Sequence, residues 1–268
     1  MSQIEIFLIF FILNLFLIIN FEKIKIFKTV IDKPDKVRKF HKKPTALAGG
    51  MILMINIFIY LIFLNLNETL LDGEIIFKEL SEMNIFIFSC FLIFLLGILD
   101  DKFNLNPLNK FILLSLILGL FIYFDDNLII ETLKFSFFKN TINLGSYSTI
   151  FTVFCFLVFI NACNMFDGIN LQTSIYSLII LIYFFTLNQN SLLISILIIF
   201  ILFFAYLNYF NKSFFGDNGT LLISFILSVF FIKLFNSGKI IYSDEIFIYM
   251  MLPGIDMIRL FFERIKKK

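Results

Sequence analysis

The 268-residue sequence has no tryptophan, one histidine, three cysteines and four prolines. A single His leaves too few ligands for a Cys/His zinc site. Cys90, Cys155 and Cys163 each sit in an apolar run without a close partner, so they read as small apolar side chains rather than as a disulfide or metal site. Charge is sparse as well, at 16% of residues with a net of +2, which excludes a strongly basic surface; no nucleic-acid partner is expected. The amino terminus has Glu5 where a cleaved signal peptide would have a basic stretch, so the first helix is expected to stay. What is abundant is apolar: 60% hydrophobic residues and a mean hydropathy of +0.95, far above a soluble domain of this length. The 41 Phe beside no Trp read as AT-rich codon usage, not as an aromatic binding stripe.

Apolar windows predict an all-α, polytopic integral membrane protein with about nine transmembrane helices, forming one domain over residues 1–268. The windows fall near 3–21, 46–64, 84–99, 108–124, 149–165, 172–187, 191–209, 219–235 and 244–261. Alternate loops differ sharply in basic residues. One set (22–45, 100–110, 161–171, 208–218 and the tail from 259) holds 17 of the 22 Lys and Arg. Positive charge stays cytoplasmic, so these loops are expected inside and the amino terminus outside. The protein is then expected to be a multi-pass membrane protein.

Four polar clusters share the expected cytoplasmic side. "FLIFLLGILDDKFNLNP" (91–107) ends a lipid-compatible run on Asp100 and Asp101, which belong at a membrane surface because a charge at the bilayer centre costs roughly 2.5–3.5 kcal/mol. "DKPDKVRKFHKKPTALAGG" (32–50) contains His41, Lys42 and Lys43; its lysines alone would also suit a topology anchor on anionic lipid heads. "NACNMFDGIN" (161–170) spaces Asn161, Asn164 and Asp167 three apart, so on a helix they would share one face. "FFGDNGT" (214–220) brackets Asp217 with two glycines, where backbone can approach a phosphate or ion. Four aspartates on one surface repel each other unless they share a cation, and Mg²⁺, which needs only one or two carboxylates, is the expected one, with Mn²⁺ as a substitute. Carboxylates, basic residues and Asn together point to phosphoryl transfer.

The chain resembles the polyprenyl-phosphate N-acetylhexosamine-1-phosphate transferases, the superfamily that also includes phospho-N-acetylmuramoyl-pentapeptide transferase. The likeness rests on Asp32, Pro34, Arg38, Lys39, His41 and Pro44 running to Gly49 and Gly50; on Asp100, Asp101, Leu105 and Lys110; on Asn161, Ala162, Asn164, Asp167 and Gly168; on Phe215, Gly216, Asp217, Gly219 and Thr220; and on Pro253, Asp256, Arg259 and Arg264. It implies transfer of a sugar-1-phosphate from a UDP-amino sugar to undecaprenyl phosphate with release of UMP, an early step of cell-surface polysaccharide assembly. Carried over residue by residue, Asp100 would deprotonate or position the acceptor phosphate, with Asp101 beside it. Asp217 would hold Mg²⁺ together with Asp167. His41, Lys42, Lys43, Asn161, Asn164, Asp167, Arg259 and Arg264 would contact nucleotide and phosphates. A homodimer is compatible with the resemblance.

Three departures stand out. Asn170 occupies a place where the family usually has a second Asp, losing a charge, and Ala46 replaces a Pro. No histidine follows His41, so the family's "H-x-H-H" loop and final helix have no counterpart before Lys268; a truncated sequence and a shortened, inactive homologue both fit. A UDP-N-acetylmuramoyl-pentapeptide donor is the nearest alternative substrate, although "RKFHKKPTALAGG" reads closer to the branch using simple UDP-N-acetylhexosamines. A cation-coupled transporter is the alternative from another class, disfavoured because its carboxylates would lie at mid-membrane on broken helices.

Overall fold

A computed structural model describes residues 3–34, 43–67, 70, 74–189 and 191–266. Nine α-helices are found there: α1 (Gln3–Ile19), α2 (Gly49–Leu66), α3 (Leu80–Phe103), α4 (Pro107–Phe124), α5 (Ser148–Phe166), α6 (Gln172–Leu187), α7 (Leu192–Tyr209), α8 (Gly216–Asn236) and α9 (Ser243–Lys266). Each apolar window of the sequence falls on one of them. Six helical segments, corresponding to α2, α3, α4, α5, α7 and α8, are long and apolar enough to cross a membrane. At 17 and 16 residues, α1 and α6 are shorter but equally apolar. The ninth window differs from the expectation: α9 carries Asp244, Glu245, Asp256, Arg259, Glu263 and Arg264, and only Pro253 is buried, so one side is charged and the other apolar.

The bundle is organised around α8. Every residue from Asn218 to Leu234 is buried, and α8 touches α2, α3, α5 and α6. A helix apolar on all sides belongs at the centre of such a bundle. By contrast α4 is mostly exposed, with Leu108, Phe111, Ile112, Leu116 and Leu120 facing outward, as a helix at the lipid boundary would be.

Polar pairs inside the bundle are satisfied between helices. Asn14 of α1 and Asn56 of α2 exchange two side-chain hydrogen bonds, at 2.7 and 3.2 Å. Pro253 leaves the Tyr249 carbonyl of α9 without its usual helical donor, and the Tyr176 hydroxyl of α6 donates to it at 3.0 Å.

The all-α expectation misses two small sheets. β2 (Thr45–Leu47) pairs antiparallel with β1 (Ile31–Asp32) and parallel with β5 (Ser213–Phe214), tying the loop after α1 to the chain entering α8. At the opposite end, β3 (Thr132–Leu133) and β4 (Ile142–Asn143) form a hairpin. Ser136, beside that hairpin, donates from its amide and hydroxyl to Asp244 at the start of α9.

Candidate active site

The ends of α3, α5 and α7 and the beginnings of α2, α4, α6 and α8 gather at one end of the bundle, together with the three-stranded sheet. They enclose an open cleft of about 890 Å³, lined by Asp101, Asp167, Asp217, Asn164, Thr220 and Lys43 among others.

Local chemistry explains how the chain reverses at Asp100 and Asp101. Asn104 ends α3 in the left-handed conformation (φ 49°), a role Asn tolerates well. Asn106 then caps α4 by accepting the Leu108 amide at 3.1 Å, and Pro107, with no amide to satisfy, fills the first helical position. The turn returns Lys110 to α3. Its Nζ lies 2.5 Å from Asp100 Oδ2 and 3.3 Å from Asp217 Oδ1. Asp100 is also anchored by the Leu105 amide, at 2.9 Å. Lys110 and Asp100 are nearly buried, whereas the Asp217 side chain is 32% exposed toward the cleft.

Asp101 is engaged differently from its neighbour. Its Oδ1 accepts the Asp217 amide at 2.9 Å, while Oδ2 accepts the Asn218 amide at 3.0 Å and Asn218 Nδ2 at 2.5 Å. A carboxylate from α3 thus caps the amino end of α8, where unpaired amides and the helix dipole favour negative charge. Gly216 admits this arrangement: its φ is +68°, and a Cβ there would meet Asp101 Oδ2 at 2.9 Å.

Asp167 follows the last residue of α5, so the expected shared helical face extends only over Asn161 and Asn164. Its Oδ1 accepts the Thr173 hydroxyl at 2.6 Å. Desolvation pushes its carboxyl up to about 6; the Thr173 bond pulls down, and nearby Asp217 pushes up again. Asn164 accepts the Thr220 hydroxyl at 2.5 Å and lines the cleft beside Asp217. Asn161 instead turns back to the Leu157 carbonyl of its own helix, at 2.7 Å, away from the cleft. Lys43 lines the cleft, whereas His41 and Lys42 lie outside the described residues. Arg259 pairs with Asp256 and Glu263 on α9, and neither it nor Arg264 lines the cleft.

Asn208 and Asn211 were not singled out from the sequence, and Asn170 was noted only for the charge it lacks. Asn208 accepts the Leu171 amide at 2.6 Å and donates to the Ser213 carbonyl at 3.1 Å, holding the chain at Leu171, whose φ is 67°. Asn170 donates to Asn211 at 2.7 Å across the cleft wall. The one legible signal was the pair of Asn three residues apart in "LNYFNK".

Among the described residues, no three Asp, Glu, His or Cys side chains form a ready-made metal cage. An ion that needs only one or two carboxylates, filling its other positions with water and phosphate oxygens as Mg²⁺ does, is the kind the cleft could hold. Asp217, open to the cleft and near Asp167, fits the requirement; Asp101, committed to three donors, has less freedom for it.

The sequence matches glycosyl transferase family 4 over residues 83–235, which contain Asp100, Asp101, Asp167 and Asp217. It is also 30% identical to a phospho-N-acetylmuramoyl-pentapeptide-transferase of Dictyoglomus thermophilum, in an alignment covering 93% of this chain and 78% of that protein. The match includes Asp101, Asp167 and Asp217 of the cleft and the chain between them, and on that ground this multi-pass membrane protein belongs to glycosyl transferase family 4.

Proposed function

We propose that the protein transfers a sugar-1-phosphate, from a UDP-linked amino sugar such as UDP-N-acetylglucosamine, to a polyprenyl phosphate at the cytoplasmic surface of a bacterial inner membrane. The observation that carries this reading is the placing of Asp101, Asp167, Asp217 and Lys43 around one cleft at the ends of apolar helices, within a chain of this family. A water-soluble nucleotide sugar and a lipid phosphate can meet only where such helices end. The loops bearing the cleft are those rich in Lys and Arg, which supports placing it in the cytoplasm.

In this reading an oxygen of the polyprenyl phosphate attacks the phosphorus attached to the sugar. The bond from that phosphorus to the bridging oxygen breaks, and UMP departs with that oxygen. Asp100, buried against Lys110 and the Leu105 amide and outside the cleft lining, acts in this reading through Lys110, holding its cation beside Asp217 where the acceptor phosphate approaches. Lys43, with His41 and Lys42 preceding it in sequence, offsets phosphate charge, while Asn164 and Asp167 border the donor. Asp217 and Asp167 would hold Mg²⁺, whose contribution is to neutralise charge on the diphosphate. The named relative supports a second reading for the donor, UDP-N-acetylmuramoyl-pentapeptide.

Membranes containing the protein, supplied with undecaprenyl phosphate, Mg²⁺ and UDP-N-acetylglucosamine, are expected to release UMP. Chelation should stop release and added Mg²⁺ or Mn²⁺ restore it. Release only with UDP-N-acetylmuramoyl-pentapeptide would select the second donor. No release from any UDP-sugar would refute the transferase reading.

A further inference from the structure

We infer that Asn218 is the positioning residue of this site: one buried amide that fixes the α8 amino end, and with it Asp217, against α2 and α3. The inference rests on the transferase reading above and goes beyond it, because Asn218 is separate from the cleft lining.

Asn218 is completely buried in the first turn of α8. An asparagine amide offers two donors and one acceptor oxygen, and here both ends are used. Oδ1 accepts the Gly50 amide at the start of α2, at 2.9 Å. Nδ2 donates to the Leu47 carbonyl of β2 at 3.2 Å and to Asp101 Oδ2 of α3 at 2.5 Å. Its backbone amide gives Asp101 Oδ2 another donor at 3.0 Å, and the preceding amide, that of Asp217, bonds Asp101 Oδ1 at 2.9 Å. Three elements remote in sequence therefore meet on one side chain.

Two glycines make the space. A Cβ at Gly50 would come within 2.3 Å of Asn218 Oδ1, and one at Gly97 within 2.3 Å of Asn218 Cα. Neither approach is compatible with any other residue unless α8 shifts. The same confinement excludes Gln, which is one methylene longer. Asp would keep the acceptor for Gly50 but replace the donors to Leu47 and Asp101. Ser retains a hydroxyl but cannot bridge all three partners. The geometry thus calls for Asn, where the sequence pattern alone shows only the residue between Asp217 and Gly219.

The role is positioning rather than catalysis. Without the amide bridge, α8 keeps its two backbone bonds to Asp101 but loses the side-chain ties to Gly50, Leu47 and Asp101, so the Asp217 carboxylate is held less tightly relative to Asp100 and Lys110. Displacements near 1 Å in such sites cost about 100-fold in rate. The test uses full-length wild type, Asn218→Ser, Asn218→Asp and Gly97→Ala in lipid nanodiscs. It measures UMP release, KM for the UDP-sugar and the lipid phosphate, UMP binding, and melting temperature. The expected result for Asn218→Ser and Asn218→Asp is a fall in kcat of about 100-fold, with both KM values and UMP binding within about threefold of wild type, and a lowered melting temperature that still leaves the protein folded at the assay temperature; Gly97→Ala, pressing on the Asn218 backbone from α3, should show the same kinetic split. Near-wild-type kcat in Asn218→Ser overturns the inference. So does loss of folded protein in all three variants, which would make Asn218 a residue of the fold alone. A wild type that turns over no UDP-sugar would overturn the transferase reading first, and this inference with it.

Discussion

Glu74 gives a prediction whose size follows from the structure. It lies between α2 and α3, at the end of the bundle opposite the cleft, and is buried. Its carboxyl accepts Asn188 Nδ2 at 3.2 Å and the Leu192 amide at 3.1 Å, with Ser191 as a further donor. From α2 the buried Tyr60 hydroxyl faces the same group and has no hydrogen-bond partner among the described residues. No ion pair among the described residues compensates the charge. Desolvation therefore pushes the Glu74 carboxyl up to about 7, against 4.5 for an ordinary glutamate, with the three donors pulling only partly back. The folded state holds this proton over a range where the unfolded chain has released it. The stabilisation is fully present below about pH 4.5 and is lost as pH rises through about 7. At 1.4 kcal/mol per pH unit the loss is about 3 kcal/mol, on the order of 5–10 °C in melting temperature for a chain of this size. Melting of the purified protein in one detergent at pH 5, 6, 7 and 8 measures it, with Glu74→Gln as the non-titrating reference. The difference between the two proteins should shift in favour of Glu74→Gln as pH rises. A difference constant across that range would refute a buried, proton-bearing Glu74.

The remaining predictions concern the cleft and the bundle. Asp217→Ala should abolish UMP release while the protein stays in the membrane; surviving activity would remove Asp217 from the proposed metal site. Lys110→Met keeps the length of the side chain but removes the cation between Asp100 and Asp217, and turnover should fall by about 100-fold or more, read as kcat. A double-mutant cycle with Asn14→Leu and Asn56→Leu should give a coupling of about 0.6 kcal/mol, and no more than about 1.7 kcal/mol, typical of polar pairs between membrane helices.

The helices were legible because each buries or exposes an apolar run with few interruptions, and the runs in 84–99 and 219–235 needed only a few residues added at their ends to become α3 and α8. Less legible was what each polar residue does once the ends converge. Asp100 and Asp101 look alike in sequence, yet one pairs with Lys110 and the other caps α8. That difference arises from partners 10 and 116 residues away, beyond the reach of local spacing. Asn161 and Asn164 share a helix, but the helix ends so soon after them that Asp167 leaves its axis. The charges within 243–266 gave the clearest warning in the sequence itself, since an apolar window including Asp256 and Arg259 is a poor membrane crossing.

The Lys110 bridge joins helices with unlike surroundings: Asp217 rides on α8, walled in by protein, whereas Lys110 rides on α4, whose outer side is apolar and exposed, as at a lipid boundary. Helices at the lipid boundary adjust their tilt to hydrocarbon thickness, while enclosed ones follow their neighbours. A change in acyl-chain length that tilts α4 would therefore reach this pair through Lys110 rather than through Asp217, and turnover in nanodiscs of differing lipid thickness would register it.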